Sequence, residues 1–254
     1  MNRRRFLGAS AAAGLAGLAG CSTALGSVAP PEVPAQKLES GGWKQTADDQ
    51  YTVFEKTFGG VDVTAKAHTL TYQDAALSEK VSAETLDQVK GQFAIFSATH
   101  VDMAPNLDNL PIAKGKILDE TETNARKQFV DRMQKAGLKS VQRTNTGTLT
   151  VDTGEDARLT EYTAVFPFQT ITFPVSKDKE ITIEGDPIGV AGSLAVWHHG
   201  DYVLIAGGAY PDQNFSRHIQ KQLSEAITVT VDIDLGLQPD AYASELRSLV
   251  TAVQ

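Results

Sequence analysis

Val190-Ala191-Gly192-Ser193-Leu194-Ala195-Val196-Trp197, then His198-His199-Gly200-Asp201, then Tyr202-Val203-Leu204-Ile205-Ala206-Gly207, reads as two apolar strands joined by a short polar turn. Short apolar runs that end at a turn are the signature of strands buried in the middle of a sheet. We therefore place this pair at the sheet centre and work outward from it.

Upstream, Ser140–Val151 and Arg158–Phe168 form a second strand pair around the polar turn Asp152-Thr153-Gly154-Glu155-Asp156. Short strands at Thr170–Val175 and Glu180–Glu184 flank Lys177-Asp178-Lys179. Asp119–Ala136 reads as a helix, with acidic Asp119, Glu120 and Glu122 in its first turn and an apolar stripe of Ala125, Phe129, Val130 and Met133. Gly137 stops it, and a loop with two prolines over 105–117 precedes it. Gln92–Met103 is a strand ended by Pro105, and the polar stretch 74–90 holds a short helix around Glu84–Val89.

Near the start, Gln50–Phe58 and Val61–Tyr72 flank Gly59-Gly60, a two-residue hairpin link. Val61, Val63, Ala65 and Ala67 share one face; Asp62, Thr64, Lys66 and His68 share the other, which reads as solvated. Pro34 either opens a brief helix that Gly41-Gly42 ends or, with Pro31, stiffens a linker. Downstream, Asp212 is expected to cap a helix to about Ile227 with Phe215, Ile219 and Leu223 inward, before a last strand over Thr228–Leu235. Pro239 opens a final helix carrying Tyr242, Leu246, Leu249, Val250 and Val253. The expected architecture is α+β: a mainly antiparallel, hairpin-built sheet with about three helices on one face, forming a single domain over 28–254.

The N-terminus carries an address. Asn2-Arg3-Arg4-Arg5-Phe6-Leu7-Gly8 resembles the twin-arginine export signal through Arg3, Arg4, Phe6 and Leu7. The apolar run from Phe6 to Leu18 is too short to span a bilayer and suits a signal-peptide core. It ends in Leu18-Ala19-Gly20-Cys21, which looks like a lipobox, so residues 1–20 are expected to be removed and Cys21 to be lipidated. Residues 21–27 then form the lipidated Cys and a short tether. The implied partners are the membrane, reached through the lipid on Cys21, and the twin-arginine export machinery; a protein partner at the cell surface fits the same setting. The expected location is the outer face of the cytoplasmic membrane.

Charge agrees with that setting. The full chain has 23 Lys and Arg against 31 Asp and Glu, a net −8. Removing Arg3, Arg4 and Arg5 leaves 20 basic residues and a mature chain near −11. An acidic surface repels nucleic acid, which is not expected as a partner. Cys21 is the one cysteine, so neither an internal disulfide nor a Cys-based zinc site is available to the domain.

No nucleophile elbow, phosphate loop, dinucleotide fingerprint, calcium loop or paired-histidine zinc motif is present, so no catalytic, cofactor or metal residue is assigned. The one cluster to weigh is His198, His199 and Asp201 at the turn, with His100, Asp102 and His68 on strands able to pair. Adjacent His198 and His199 point to opposite faces of a strand and chelate together only if the turn rotates them. Solvated sheet faces explain these residues more simply. The double glycines Gly59-Gly60 and Gly207-Gly208 read as turn and strand-end material. Asn214-Phe215-Ser216 matches the N-glycosylation pattern.

The order of features resembles a family of haloarchaeal exported lipoproteins that carry a domain of unknown function. The resemblance runs through the Arg pair and lipobox, Ala29-Pro30-Pro31-Glu32-Val33, Leu38 before Gly42-Trp43, the hairpin, the long helix and the helix over Leu246–Val253. It implies export and anchoring and brings no catalytic residues with it. Element order also resembles, at the level of fold, the PsbP/Mog1 sheet-and-helix domains. The sequence thus leads to a membrane-anchored, non-enzymatic binding or interaction domain without a cofactor. The alternatives are an extracytoplasmic hydrolase or metal-dependent enzyme using the turn His198–Asp201, and an assembly factor for a membrane complex.

Overall fold

The computed structural model describes residues 26–89, 91–106, 114–176, 179–225 and 227–254. Arg3, Arg4, Phe6, Leu7, Leu18, Ala19, Gly20 and Cys21 lie outside them. In chain order the elements are α1 (Ala35–Ser40), β1 (Trp43–Phe58), β2 (Val61–Asp74), α2 (Ala75–Glu84), β3 (Ile95–Ala104), α3 (Lys114–Lys135), β4 (Lys139–Thr150), β5 (Asp156–Phe166), β6 (Ile171–Ser176), β7 (Lys179–Ile183), β8 (Ile188–His199), β9 (Tyr202–Pro211), β10 (Ser216–Ser224), β11 (Ile227–Asp234) and α4 (Pro239–Thr251).

Seven strands form one sheet in the order β1-β2-β3-β9-β8-β5-β4, with every neighbouring pair antiparallel. The apolar pair β8–β9 lies at its middle, as its composition requires. The remaining strands form two separate hairpins, β6–β7 and β10–β11. The chain is α+β, with four helices among the described residues.

The helices do not share one face, which corrects the expectation from sequence. Val63, Ala65 and Ala67 of β2, Val101 and Met103 of β3, Leu194 and Val196 of β8 and Val203 of β9 pack with Ile117, Ala125, Phe129 and Met133 of α3. The alternate residues Phe96, Ala98, Ala195, Trp197, Leu204 and Ala206 pack with Leu38 of α1, Leu77 and Val81 of α2, and Leu246 and Leu249 of α4. Central strands that are apolar at consecutive positions leave no face for water, so both must be covered.

Three further expectations are overturned. Residues 216–234 form the β10–β11 hairpin, with Ser216 opposite Asp234 and Ser224 opposite Ile227, in place of a helix from Asp212. Ile227, Val229, Val231 and Ile233 alternate with Thr228, Thr230, Asp232 and Asp234, and a β-branched strand of that pattern needs a partner that 216–224 supplies. The Asp212 amide instead donates to the Gly189 carbonyl (3.0 Å), closing the end of β8–β9. The short helix predicted at Glu84–Val89 forms earlier, as α2, because the Asp74 carboxylate caps it by accepting from the Leu77 amide at 2.9 Å. Gly207-Gly208 lies within β9 and not at a strand end. A Cβ on Gly208 would stand 2.1 Å from the Ile95 carbonyl oxygen and 2.6 Å from a Leu246 methyl, so glycine is what lets α4 seat on the sheet. The helical alternative for Pro34 is the one observed, as α1.

Burial pushes the Asp74 carboxyl above its ordinary value, against the opposing pull of the Leu77 and Ala76 amides. Burial, with Asp74 and Glu245 adding negative charge, pushes the Tyr242 hydroxyl of α4 up to about 12. A raised carboxyl means the folded chain binds this proton more tightly than the unfolded chain. Its favourable contribution is full below the ordinary value of 3.8 and is lost as pH rises through the raised one. Asp74→Asn keeps an oxygen for the cap and removes the titration. Urea unfolding should show it at least as stable as the wild type at about pH 7, with a smaller loss of stability between about pH 4 and pH 7; a clear destabilisation at pH 7 would contradict this account.

Candidate functional site: the histidine row and a cavity beneath the long helix

The structure brings four of the six singled-out residues into one row. His68 of β2 stands opposite His100 of β3 in the antiparallel register. The His100 Nε2 lies 2.9 Å from an Asp102 oxygen. Tyr202 stacks on the His100 ring with centroids 4.0 Å apart, and the His199 ring follows at 5.4 Å from Tyr202. His198 is directed to the other face of β8, and Asp201 accepts from the Asn106 amide at 2.6 Å, outside the row.

Each histidine in the row has its own carboxylate. His68 Nε2 meets Asp48 at 2.7 Å, His100 meets Asp102, and His199 Nδ1 meets Glu155 at 2.7 Å. Asp48, Tyr202 and Glu155 were not singled out from the sequence; Asp48 and Glu155 come from distant segments that only the register brings near. Among the described residues no group of three or more His, Cys, Asp or Glu is arranged to hold a metal ion. The row is also not a solvated face, since His68 and His100 are buried. It seats the incoming chain: His68 Nδ1 donates to the Val28 carbonyl at 2.9 Å, and Glu32 exchanges two backbone hydrogen bonds with Gln254 (2.6 and 2.9 Å). The exposed Asn214 side chain is also engaged, donating to Asp234 at 2.7 Å and accepting from the Leu237 amide at 2.9 Å.

The larger feature lies on the opposite face, under α3. The N-terminal half of that helix is clamped by charge. The buried Glu122 carboxylate accepts from Arg126 and, at 2.9 Å, from Arg158 of β5; Asp119 also meets Arg158 (2.6 Å), and Lys56 of β1 donates to Glu120 (2.7 Å). These bonds hold the Glu120 carboxyl below its ordinary range, chiefly through Lys56, and raise that of the Arg158 guanidinium through Asp119 and Glu122. Arg126 reaches on to the Thr160 hydroxyl at 3.0 Å.

Among the described residues the C-terminal half has no such clamp, and it stands over an apolar cavity of about 310 Å³. Phe129, Met133 and Ala136 form the roof, with Ser97, Val190 and Ala209 in the floor. Phe93 and Phe166, edge-to-face at 5.2 Å, line one side. Leu138 lines another, placed there by the helix end: Gly137 takes φ +91°, the Gly137 amide bonds the Gln134 carbonyl (3.0 Å) and the Leu138 amide the Met133 carbonyl (3.1 Å). This is the Schellman arrangement, and it folds Leu138 back toward Met133. Arg132 and Lys135, one turn apart on the last turns of α3, bring the cations to the lining. A second space of about 30 Å³ shares Ser97, Phe129 and Arg132 with it.

No sequence motif marks this cavity, because its walls come from β2, β3, β5, β8, β9, α3 and the segment before β3. The available signal was a floor of small residues beneath large ones. A Cβ at Gly192 would come within 3.3 Å of Phe129 and 3.4 Å of Met133, and Ser97 and Ala209 are similarly short.

A seven-stranded antiparallel sheet covered on both faces, with an apolar cavity beneath α3, defines the class: a layered α+β domain. Within that class, the chain belongs to the family described as a domain of unknown function (DUF6517), which matches residues 30–254. Comparison with curated proteins and with solved structures returned no match. Among the described residues, no helix is long and apolar enough to cross a membrane.

Removing the centre of the clamp tests its role. Glu122→Ala leaves the Arg126 and Arg158 guanidiniums without their shared buried acceptor and should cost about 2 kcal/mol in denaturant unfolding. Glu122→Gln, which keeps an acceptor without the charge, should cost less; equal stability of all three chains would show that the clamp does not hold α3.

Proposed function

We propose that this protein is an exported lipoprotein of the outer face of a cytoplasmic membrane whose domain, residues 28–254, binds an apolar small molecule without transforming it. The observation that carries the binding half is the cavity under α3. Its volume of about 310 Å³ is at the lower end of the range of small-molecule sites, and aromatic and aliphatic side chains make most of its wall. Its polar groups are the Thr71 and Ser97 hydroxyls, the Gln92 amide and the two cations. These groups orient a ligand; none is poised to take up and return a proton near neutral pH.

The anchoring half rests on the Arg3-Arg4 signal and the Leu18-to-Cys21 lipobox, as in the haloarchaeal lipoproteins that the N-terminus resembles. The seat of Val28 on His68 adds a length. Seven Cα–Cα steps lead from Cys21 to Val28, so a lipid on Cys21 holds the domain within about 25 Å of the bilayer surface. A ligand drawn from the membrane then has a short way to travel. An enzyme built on His198–Asp201 finds no support in the geometry, because the row splits into separate histidine–carboxylate pairs.

Two measurements test the two halves. Cys21→Ser should move the protein from the membrane to the soluble fraction on cell fractionation, and unchanged membrane association would end the anchor. For the cavity, the neutral dye N-phenylnaphthylamine should brighten with the purified protein and lose that response in Ala209→Phe, which fills the floor. Ala136→Trp, at the rim, should do the same without touching the sheet; if both well-folded variants retain the full response, the dye sits elsewhere and the cavity is not the binding site.

A further inference from the structure

We infer that the ligand of this cavity is a single-chain amphiphile with an anionic head, its tail under α3 and its carboxylate or phosphate on Arg132 and Lys135. The inference rests on the cavity reading above and adds the ligand's chemistry. Apolar walls select a hydrocarbon tail. A volume of about 310 Å³ is roughly ten water volumes, which leaves room for one chain and not for a two-chain lipid.

The head is set by charge. In a chain with 31 acidic against 23 basic residues, the cavity lining carries, among the described residues, two cations and no carboxylate. The cations of the clamp on the same helix face are spent on carboxylates: Arg126 on Glu122, Arg158 on Asp119 and Glu122, Lys56 on Glu120. Among the described residues, Arg132 and Lys135 make no ion pair. Asp131 does not face its sequence neighbour Arg132; it stands one turn before Lys135 at i,i+4 spacing without forming an ion pair among the described residues, so Arg132 is the cation on which the head-group preference chiefly rests. The Arg132 fork suits two oxygens of one carboxylate or phosphate, and Lys135 adds a compact charge beside it. Cations also suit a helix C-terminus without any ligand, so the test must separate the two roles.

The test titrates the full chain, with Cys21→Ser to keep it out of detergent, against four probes of equal chain length: a fatty acid, an alkyl phosphate, an alcohol and an amine. Displacement of N-phenylnaphthylamine reports binding. The acid or the phosphate should bind about tenfold more tightly than the alcohol, and the amine most weakly. Whichever of the two anions binds better names the head. Each methylene added within the cavity's length should tighten binding about fourfold. Arg132→Gln with Lys135→Gln should bring anion and alcohol to within about threefold, leaving the alcohol's affinity in place; Arg132→Lys should retain most of the preference for the acid. Raising salt should weaken the anion and not the alcohol. Equal binding of anion and alcohol in the unaltered cavity, or a preference that survives the double substitution, overturns the head-group inference while the cavity reading stands. If no probe displaces the dye and Ala209→Phe changes nothing, the cavity reading itself has failed.

Discussion

The buried carboxylate of Glu122, shared between Arg126 and Arg158, is the contact on which the architecture of the α3 face depends. It ties the helix to itself and to β5 at a single point, with Asp119 and Glu120 extending the tie to β5 and β1. A helix held only by an apolar stripe settles as close to its sheet as side chains allow. A helix held by charge at one end is positioned by the length of Arg and Lys side chains there, and its other end rests on whatever lies beneath. Under the C-terminal half of α3 lie Ser97, Gly192 and Ala209, residues too small to fill the gap, and the space remains. The clamp and the small-residue floor together make the cavity; neither would do so alone.

The opposite face shows polar chemistry used for a different end. Histidines at a sheet end invite a catalytic or metal reading. Here each ring is met by one carboxylate, and the ring of His100 is covered by Tyr202. The Val28 carbonyl only accepts, so its bond uses the Nδ1–H of His68, while the Asp48 carboxylate lies 2.7 Å from Nε2 on the other side of the ring. Those bonds fasten Val28 to the sheet, and the Glu32–Gln254 pairing fastens the residues after it to the C-terminal helix's far end. In a domain without a disulfide, this is how residues 28–32 become part of the fold.

How far the sequence could be read follows from which interactions are local. The hairpins at Gly59-Gly60 and Gly154 and the central β8–β9 pair were legible, because turn residues and strand periodicity are encoded within a few positions. The β10–β11 hairpin was misread at its first strand: Phe215, Ile219 and Leu223 fall at helical spacing, and only the strict alternation of 227–234, pairing with it, decides otherwise. The second covered face was missed because solvation of Lys66 and His68 was inferred from their polarity, while His68 is buried by a segment forty positions away. His100 and Asp102 were legible as neighbours two apart on one strand, whereas Asp48 and Glu155 were not. The cavity was not legible at all. Its walls come from seven separate places, and the residues that make it are notable for being small, a property a sequence shows everywhere and explains nowhere.

A void of this kind bears on stability as well as on binding. In a closed core, about 24 cal/mol per Å³ of unfilled volume would put 310 Å³ at about 7 kcal/mol. That is comparable with the whole stability of an ordinary domain, and this one has no covalent cross-link to offset it. The space is tolerable because it is not a sealed void: its lining includes the exposed Lys135 and the half-buried Arg132. Water against Phe93, Phe129, Met133 and Phe166 is still a poor filling, since those walls present few hydrogen-bond partners. A hydrocarbon chain is a better one. An occupant would therefore stabilise the free protein as well as bind to it, and the same exchange of water for apolar contact that drives folding would drive loading.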